Sequence, residues 1–451
     1  MLPRKGEKLL IFGGNKLLRR LISLVMAAAM ILSTLVLLGS CGGKSKIIVW
    51  VYSEEYRSEL ENFLKSTPLD LSFEASIRAV NSADFSDELQ KAIDSGEDIP
   101  DVFMLSPDNI KRYIESDLTA DVSDLGLEVT IERYFPYVAQ AATDSHGHVK
   151  AVGWQADPGI FMYRRSMAKA YLGTDNPDDI QNLISNWDGF YTTAQKVSEA
   201  SEGKTRMLAG QQDMLKPFIS SDSEPWVRDG RLIISPCKQA YVDYVQKMAD
   251  SHLMYTAEQW SEAWLQGISD TQSVFGYFSS GICMLYVMKK ACGGKMKGEG
   301  SYGDWAVVPG PANYCWGGSW FAAYGGSRHK DEAGDFISLF TGCTDDETRL
   351  DQSIRYFRTT GEFAASSEIV SQVRYDPQFE DSFIGGQNYY QQLSVAAKGI
   401  NMTSMTTYDS EIGGIFNTYM NRFAGGLKTA DQAMNDFKTS VSVAFPELIV
   451  E

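Results

Sequence analysis

Histidine is scarce in this 451-residue chain: His146, His148, His252 and His329 are all there is. No HExxH, GxSxG, Walker or EF-hand pattern occurs, so the common metal-hydrolase, serine-hydrolase, nucleotide-binding and calcium-loop chemistries have no carrier. His146-Gly147-His148 beside Asp144 reads as a polar surface turn, and no metal or cofactor is expected. Cysteine is nearly as rare. Beyond Cys41 there are Cys237, Cys283, Cys292, Cys315 and Cys343, an odd number without CxxC spacing. That excludes a disulfide framework and leaves buried thiols. Basic charge is short too, with 41 Lys and Arg against 58 Asp and Glu. The formal charge is −17, and residues 1–40 carry six bases and one acid, so the remainder stands near −22. Such a surface disfavours nucleic acid and anionic membranes. Internal repeats and low-complexity linkers are also absent.

What is present begins at the N-terminus. A basic flank precedes the apolar run "LISLVMAAAMILSTLVLL" at 21–38, followed by "GSCGG". This order reads as a secretory signal. Leu38-Gly39-Ser40-Cys41 resembles a bacterial lipobox, in which small residues admit the peptidase and the cysteine thiol carries lipid. Residues 1–40 are therefore expected to be removed, with Cys41 lipidated and the mature protein held by its lipid (palmitate) anchor at the outer face of the cytoplasmic membrane.

From residue 46 onward the pattern alternates. "KIIVWVY" reads as a buried strand, and "SEEYRSELENFLKS" as a helix capped by Ser53. "LDLSFEASI" is a second strand, and a helix capped by Ser82 precedes Pro100 and the strand "DVFML". This βαβα order predicts a parallel, doubly covered α/β sheet. "HVKAVGWQADPGIFMYRRSMAKAYLG" predicts strands on either side of Asp157-Pro158-Gly159. "DDIQNLISNWDGFYTTAQKVSEAS", "CKQAYVDYVQKMADSHL" and "AEQWSEAWLQGI" predict helices, and "WVRDGRLIIS" a hairpin turning at Asp229-Gly230.

Several segments together resemble family 1 extracellular solute-binding proteins, the maltose-binding type that serves ABC sugar importers. "SGEDIPDVFMLSPDNIKRYIESDLTADVSDL" is similar to the family's AG-x-x-PDV segment, and "NWDGFYTTAQKV" to its T-W-d-E-f segment. "FGYFSSGICMLY" resembles F-x-x-G-k-a-A-M, with Cys283 replacing alanine. "HVKAVGWQADPGIFMYRR" resembles its Pro-aromatic segment, with Gly153-Trp154 in place of the proline. "GDWAVVPGPANYCWGGSWFAAYGGSRHKDEAGDFISLFTG" also follows the family pattern.

The resemblance implies a two-lobed, type II periplasmic-binding-protein-like α/β fold with a ligand cleft between lobes. It places one lobe at 41–157 and 319–365 and the other at 158–318 and 366–451. It implies a substrate-binding component without catalysis, a monomer that binds a sugar or oligosaccharide by interlobe closure and delivers it to the permease subunits of an ABC importer. Ligand contacts then fall on Tyr52, Glu54 and Glu55 after the first strand and Ser106 and Asp108 after "DVFML". Trp154 and Asp157 fall at the first crossing, and Trp316, Gly317, Gly318 and Trp320 at the second. Tyr286, Trp226, Trp264 and Tyr408 are further cleft candidates, and Trp187 a structural helix-start residue. If "CWGGSW" is extended, alternation puts Trp316, Gly318 and Trp320 on one face. The two glycines would admit ligand and hinge backbone, and the indoles would stack on sugar C–H faces. Two rivals remain: a surface glycoside hydrolase, which needs two cleft carboxylates such as Glu54-Glu55 could supply, and a binder of a non-sugar ligand such as a polyamine.

Overall fold

Apolar, β-branched and aromatic residues crowd "SKIIVWV", and burial makes Ser45–Val51 a strand, β1. The computed structural model describes residues 44–127, 131–270 and 273–451; the expected signal segment and Cys41 lie outside them. Helix α1 (Glu54–Ser66) follows, with the Ser53 side chain accepting from the Tyr56 amide and Glu54 and Glu55 in its first turn. Strand β2 (Phe73–Ala79) and helix α2 (Phe85–Ser95) come next. The helix starts later than expected, after Asp84 rather than Ser82, and no side chain caps it. Strand β3 (Val102–Leu105) then lies parallel to β1, Val49 opposite Val102.

Strand β4 (Val152–Arg164) runs 13 residues, all buried. The two strands expected around Asp157-Pro158-Gly159 are thus one, with Pro158 inside it. The hairpin β5 (Val227–Arg228) and β6 (Arg231–Leu232) turns where expected, with Asp229 and Gly230 both at positive φ. Strands β7 (Gly276–Ser280), β8 (Trp305–Val308) and β9 (Cys315–Ala323) complete the main sheet, whose order is β2-β1-β3-β9-β4-β7 with β8 also on β4. The sheet is mixed rather than parallel because β9 runs antiparallel to both β3 and β4. Strand β4 pairs β9 with its first half and β7 and β8 with its second. The two inferred chain crossings are therefore one antiparallel ladder, in which Asp157 faces Gly317 and Ala156 faces Gly318.

That ladder slips twice. Gly153 pairs Trp320 while Gln155 pairs Ser319, which leaves Trp154 as an extra residue on β4. Asp157 pairs Gly317 while Pro158 pairs Cys315, which leaves Trp316 as an extra residue on β9. Both bulged residues are tryptophans, and a bulge re-aims its side chain and bends the strand. Gly318 has φ of 117°, and a Cβ there would lie 2.8 Å from the Gln155 carbonyl oxygen. Glycine is needed because the partner strand, not a ligand, comes this close.

Beside the ladder, Gln155 links three elements. Its Oε1 accepts from Ser319 Oγ at 2.8 Å, and its Nε2 donates to Glu362 at 2.5 Å. Glu362 also accepts from Tyr286 at 3.1 Å and Tyr356 at 3.2 Å. Burial, then the nearby Glu59, raises the Glu362 pKa well above the usual carboxylate range. The hydrophobic residues form two clusters. One holds Trp50, Phe103, Trp154, Trp320 and Phe340; the other holds Phe161, Phe190, Phe278, Phe416 and Phe437. Trp316 packs against both. Ile369, Leu393 and Met402 belong to the first cluster, Ile412 and Val441 to the second. Trp187 opens helix α3 (Trp187–Ala200) and packs on Phe218 and Phe278. Cys237, Cys283, Cys292 and Cys315 are free thiols. Among the described residues, no helix is long and apolar enough to cross a membrane.

Candidate functional site

A cavity of about 420 Å3 opens beside Trp316. Helix α4 (Gln212–Ile219) forms one wall, with Gln212, Leu215, Lys216 and Ile219 facing the cavity at the i, i+3, i+4, i+7 spacing of one helix face. Its opposite face, with Met214 and Phe218, is buried in the second cluster. Helix α5 (Pro236–Asp250) packs behind it. A turn carrying Gln259 and Trp260 precedes helix α6 (Glu262–Ser269) and forms the rim. Helix α7 (Asp409–Ala424) contributes Asp409, Ser410, Gly413, Gly414 and Asn417, one step of a turn apart. A Cβ at Gly413 or Gly414 would meet nothing within 4 Å. Pro107 and Asp108, just past the carboxyl end of β3, and Met402 and Met405 close the other side. The cavity thus lies at the end of a sheet strand, where ligands of open α/β folds are found.

Its lining has apolar plates and planar amides: Trp226, Trp260 and Trp316 with Gln212, Gln259, Asn401 and Asn417. Three charges reach it. Lys216 Nζ donates to the Trp316 carbonyl at 2.8 Å. Asp409 accepts from the Thr406 amide at 3.1 Å and its hydroxyl at 2.5 Å, and burial raises its pKa. Asp108 is exposed.

Of the expected contact residues, Asp108 and Trp316 line this cavity, and so does the further candidate Trp226. The others are placed elsewhere. Tyr52 accepts from Asn109 Nδ2 at 2.8 Å, and the Ser106 amide donates to Asn109 Oδ1 at 2.9 Å, so both brace the loop that carries Asp108. Glu54 pairs with Arg57, and Glu55 serves its own helix terminus, where hydrogen bonds from its backbone and Ser53 lower its pKa. Trp154 is wholly buried and stacks on Phe321 at 4.8 Å. Trp320 is 1% exposed and donates to the Val138 carbonyl. Asp157, 2% exposed, accepts from the Ile282 amide at 3.2 Å, and burial raises its pKa to about 7. It ties the crossing strand to the helical segment after β7. Gly317 and Gly318 are engaged by β4, Tyr286 by Glu362, and Trp264 is buried. The structure places Trp154, Trp320 and Asp157 away from this cavity: core packing takes the indoles and a helix terminus takes the acid. At the other expected polar loop, Asp144 accepts from the His146 and His148 amides and closes a turn.

The sequence reading missed Trp260, Lys216 and the amides. "AEQWSEAWLQGI" suggested an unbroken helix. Ser261 was the available signal: as a capping residue it accepts from the Trp264 amide, so the helix starts at Glu262 and leaves Trp260 in the turn before it.

A family model described as bacterial extracellular solute-binding protein matches residues 61–374. The chain belongs to that family. No curated protein matches this solute-binding protein in sequence. Among solved structures it is similar to an extracellular solute-binding protein of family 1, with a TM-score of 0.75 at 16% identity, covering 88% of this chain and 99% of that one. It is also similar to the sugar-binding protein MalE of Xanthomonas citri, with a TM-score of 0.70 at 15% identity over 89% and 98% of the two chains. A third is the ABC transporter associated binding protein of B. animalis subsp. lactis in complex with β-1,6-galactobiose, with a TM-score of 0.64 at 19% identity over 90% and 98%. At such identities the likeness shows the fold, that of the two-lobed MalE-type binding proteins.

Proposed function

We propose that this protein is the substrate-binding component of an ABC importer and binds a sugar or oligosaccharide in the cavity beside Trp316. The observation that carries this reading is the composition of the lining: two open indoles, Trp260 and Trp316, for sugar C–H faces and planar amides for hydroxyl edges, at the end of a sheet strand. The lobes, 41–157 with 319–365 and 158–318 with 366–451, close on the ligand about the β4–β9 ladder. Hinged closure around a ligand is general among periplasmic binding proteins. The exported protein is a monomer held at the outer face of the cytoplasmic membrane through lipid on Cys41 and hands its ligand to permease subunits. It does no chemistry on the sugar. A glycosidase needs two working carboxylates, and of the two in the cavity Asp409 is committed to Thr406. Lys216 in the lining disfavours a polyamine.

The test is a thermal-shift and calorimetry panel of oligosaccharides, monosaccharides and polyamines. At 100 times its Kd a cognate sugar adds about 2.7 kcal/mol of stability and is recovered unchanged. Trp316→Ala is expected to weaken that sugar about tenfold or more, since each 1.4 kcal/mol is about tenfold. Stabilisation by polyamine alone, or cleavage of the sugar, overturns the reading.

A further inference from the structure

Trp260 is held in a conformation its residue type avoids. Its φ is 70°, in the left-handed region, whereas the other non-glycine residues with positive φ among the described residues are the polar Asp98, Glu202, Asp229 and His252. A bulky side chain there is strained and persists only where surrounding contacts impose it. The indole is nonetheless 48% exposed and borders the cavity. Its ring lies 6.5 Å from that of Trp316, with the planes at 78°.

The imposing contacts converge on one buried carboxyl. Asp213, on the face of α4 turned away from the cavity, is 1% exposed. It accepts from Trp264 Nε1 at 2.9 and 3.2 Å and from Gln259 Nε2 at 3.4 Å. Trp264 packs on Trp260 with ring centroids 5.0 Å apart. Gln259, the residue before Trp260, also donates its amide to Gln212 Oε1 at 3.2 Å. The turn is closed by the Ser261 amide on the Glu258 carbonyl. No lysine, arginine or histidine among the described residues forms an ion pair with Asp213; the titratable groups facing it are Tyr241, Tyr277, Cys283 and Tyr314. Burial raises its pKa to about 7. A carboxyl buried without a cation is costly to keep, and its two neutral donors are the residues that fix Trp260.

We infer that Asp213 is a positioning residue that holds Trp260 as a second ligand plate at a right angle to Trp316, so that the cavity takes a ligand of at least two sugar rings. Two indoles at 78° cannot sandwich one ring, which needs parallel plates. They can each cover a face of adjoining rings turned relative to one another. The inference rests on the sugar-binding reading for its ligand and on geometry alone for the role of Asp213, and the experiment separates the two.

Near-ultraviolet circular dichroism of the full ligand-free protein reports the coupled indoles. Asp213→Leu, of similar size but with no acceptor for Trp264 or Gln259, and Trp260→Phe are both expected to remove the same tryptophan band while the far-ultraviolet spectrum stays that of the parent protein. Retention of the band in Asp213→Leu overturns the positioning role, whatever the ligand. In the second arm, glucose, galactose, maltose and β-1,6-galactobiose are titrated. Trp260→Ala is expected to weaken the bound disaccharide about tenfold and to leave monosaccharide binding unchanged. Undiminished disaccharide affinity in Trp260→Ala overturns the second plate. If the parent protein binds none of the four, the sugar-binding reading and the two-ring ligand fail together, while the dichroism arm still decides Asp213.

Discussion

On one side of the crossing ladder Trp154 lies wholly buried against Phe321, Tyr56 and Tyr356. On the other, Trp316 stands half-buried at the cavity, in contact with both hydrophobic clusters. Each is the extra residue of a bulge in the same pair of strands. The difference lies in what packs over each bulge. Helices Lys330–Thr341 and Glu347–Thr360 bring Phe340 and Tyr356 over Trp154, whereas over Trp316 the neighbours are an exposed lysine and a strained, half-exposed indole. Identical side chains on one ladder thus become a core element and a candidate ligand plate through their covering alone.

Truncation separates the two most strongly. Trp154→Ala removes a fully packed indole, and large-to-small changes of this kind cost about 3–5 kcal/mol. The ligand-free melting temperature is expected to fall sharply, while Trp316→Ala moves it little and acts on affinity instead. Equal losses of stability in the two variants would erase the contrast.

The acid between the bulges gives the next largest effect. Burial raises Asp157 to about 7, so between the ordinary carboxylate pKa and 7 the folded protein holds a proton that the unfolded chain has released. Stability from this group is complete below the ordinary carboxylate pKa and is lost as pH rises toward 7. Each unit of raised pKa is worth about 1.4 kcal/mol. Denaturant melts between pH 5 and 8 should therefore show stability falling with pH, and Asp157→Asn should make that slope shallower, the remainder belonging to the other buried carboxyls Asp213 and Glu362. A slope identical in the variant would remove Asp157 from the account.

The two ladder glycines differ more finely. At Gly318 an alanine meets both a positive φ and a backbone oxygen at 2.8 Å, and a cost of about 1–3 kcal/mol is expected. At Gly317 the nearest atom is the Asp157 carboxylate at 3.2 Å, a side chain that can shift, so Gly317→Ala should cost less. Chemical denaturation of both variants checks the order; the reverse order would mean that the ladder is not held as described.

Much of the frame was legible in the sequence. β-Rich runs, the Ser53 cap, Asp229-Gly230 and Pro100 act through local sterics and hydrogen bonds, which a short window contains. The segment order was enough for the resemblance, and for singling out Asp157 and Gly317-Gly318, which pair in one ladder. The site was less legible. Alternation grouped Trp316 with Trp320, but the extra residue at the Trp316 bulge breaks the period between them. Asp157 looked like a ligand acid because nothing local reveals that the Ile282 amide, 125 positions away, would claim it.

The sequence by itself determined the α/β order, the family and the residue types that a sugar site requires. The tertiary structure alone decided which indoles face the cavity. Alternation and capping are properties of neighbours along the chain. Exposure depends on which distant helix covers a bulge and which buried acid, here Asp213, anchors a turn, and those partners meet only when the chain has folded.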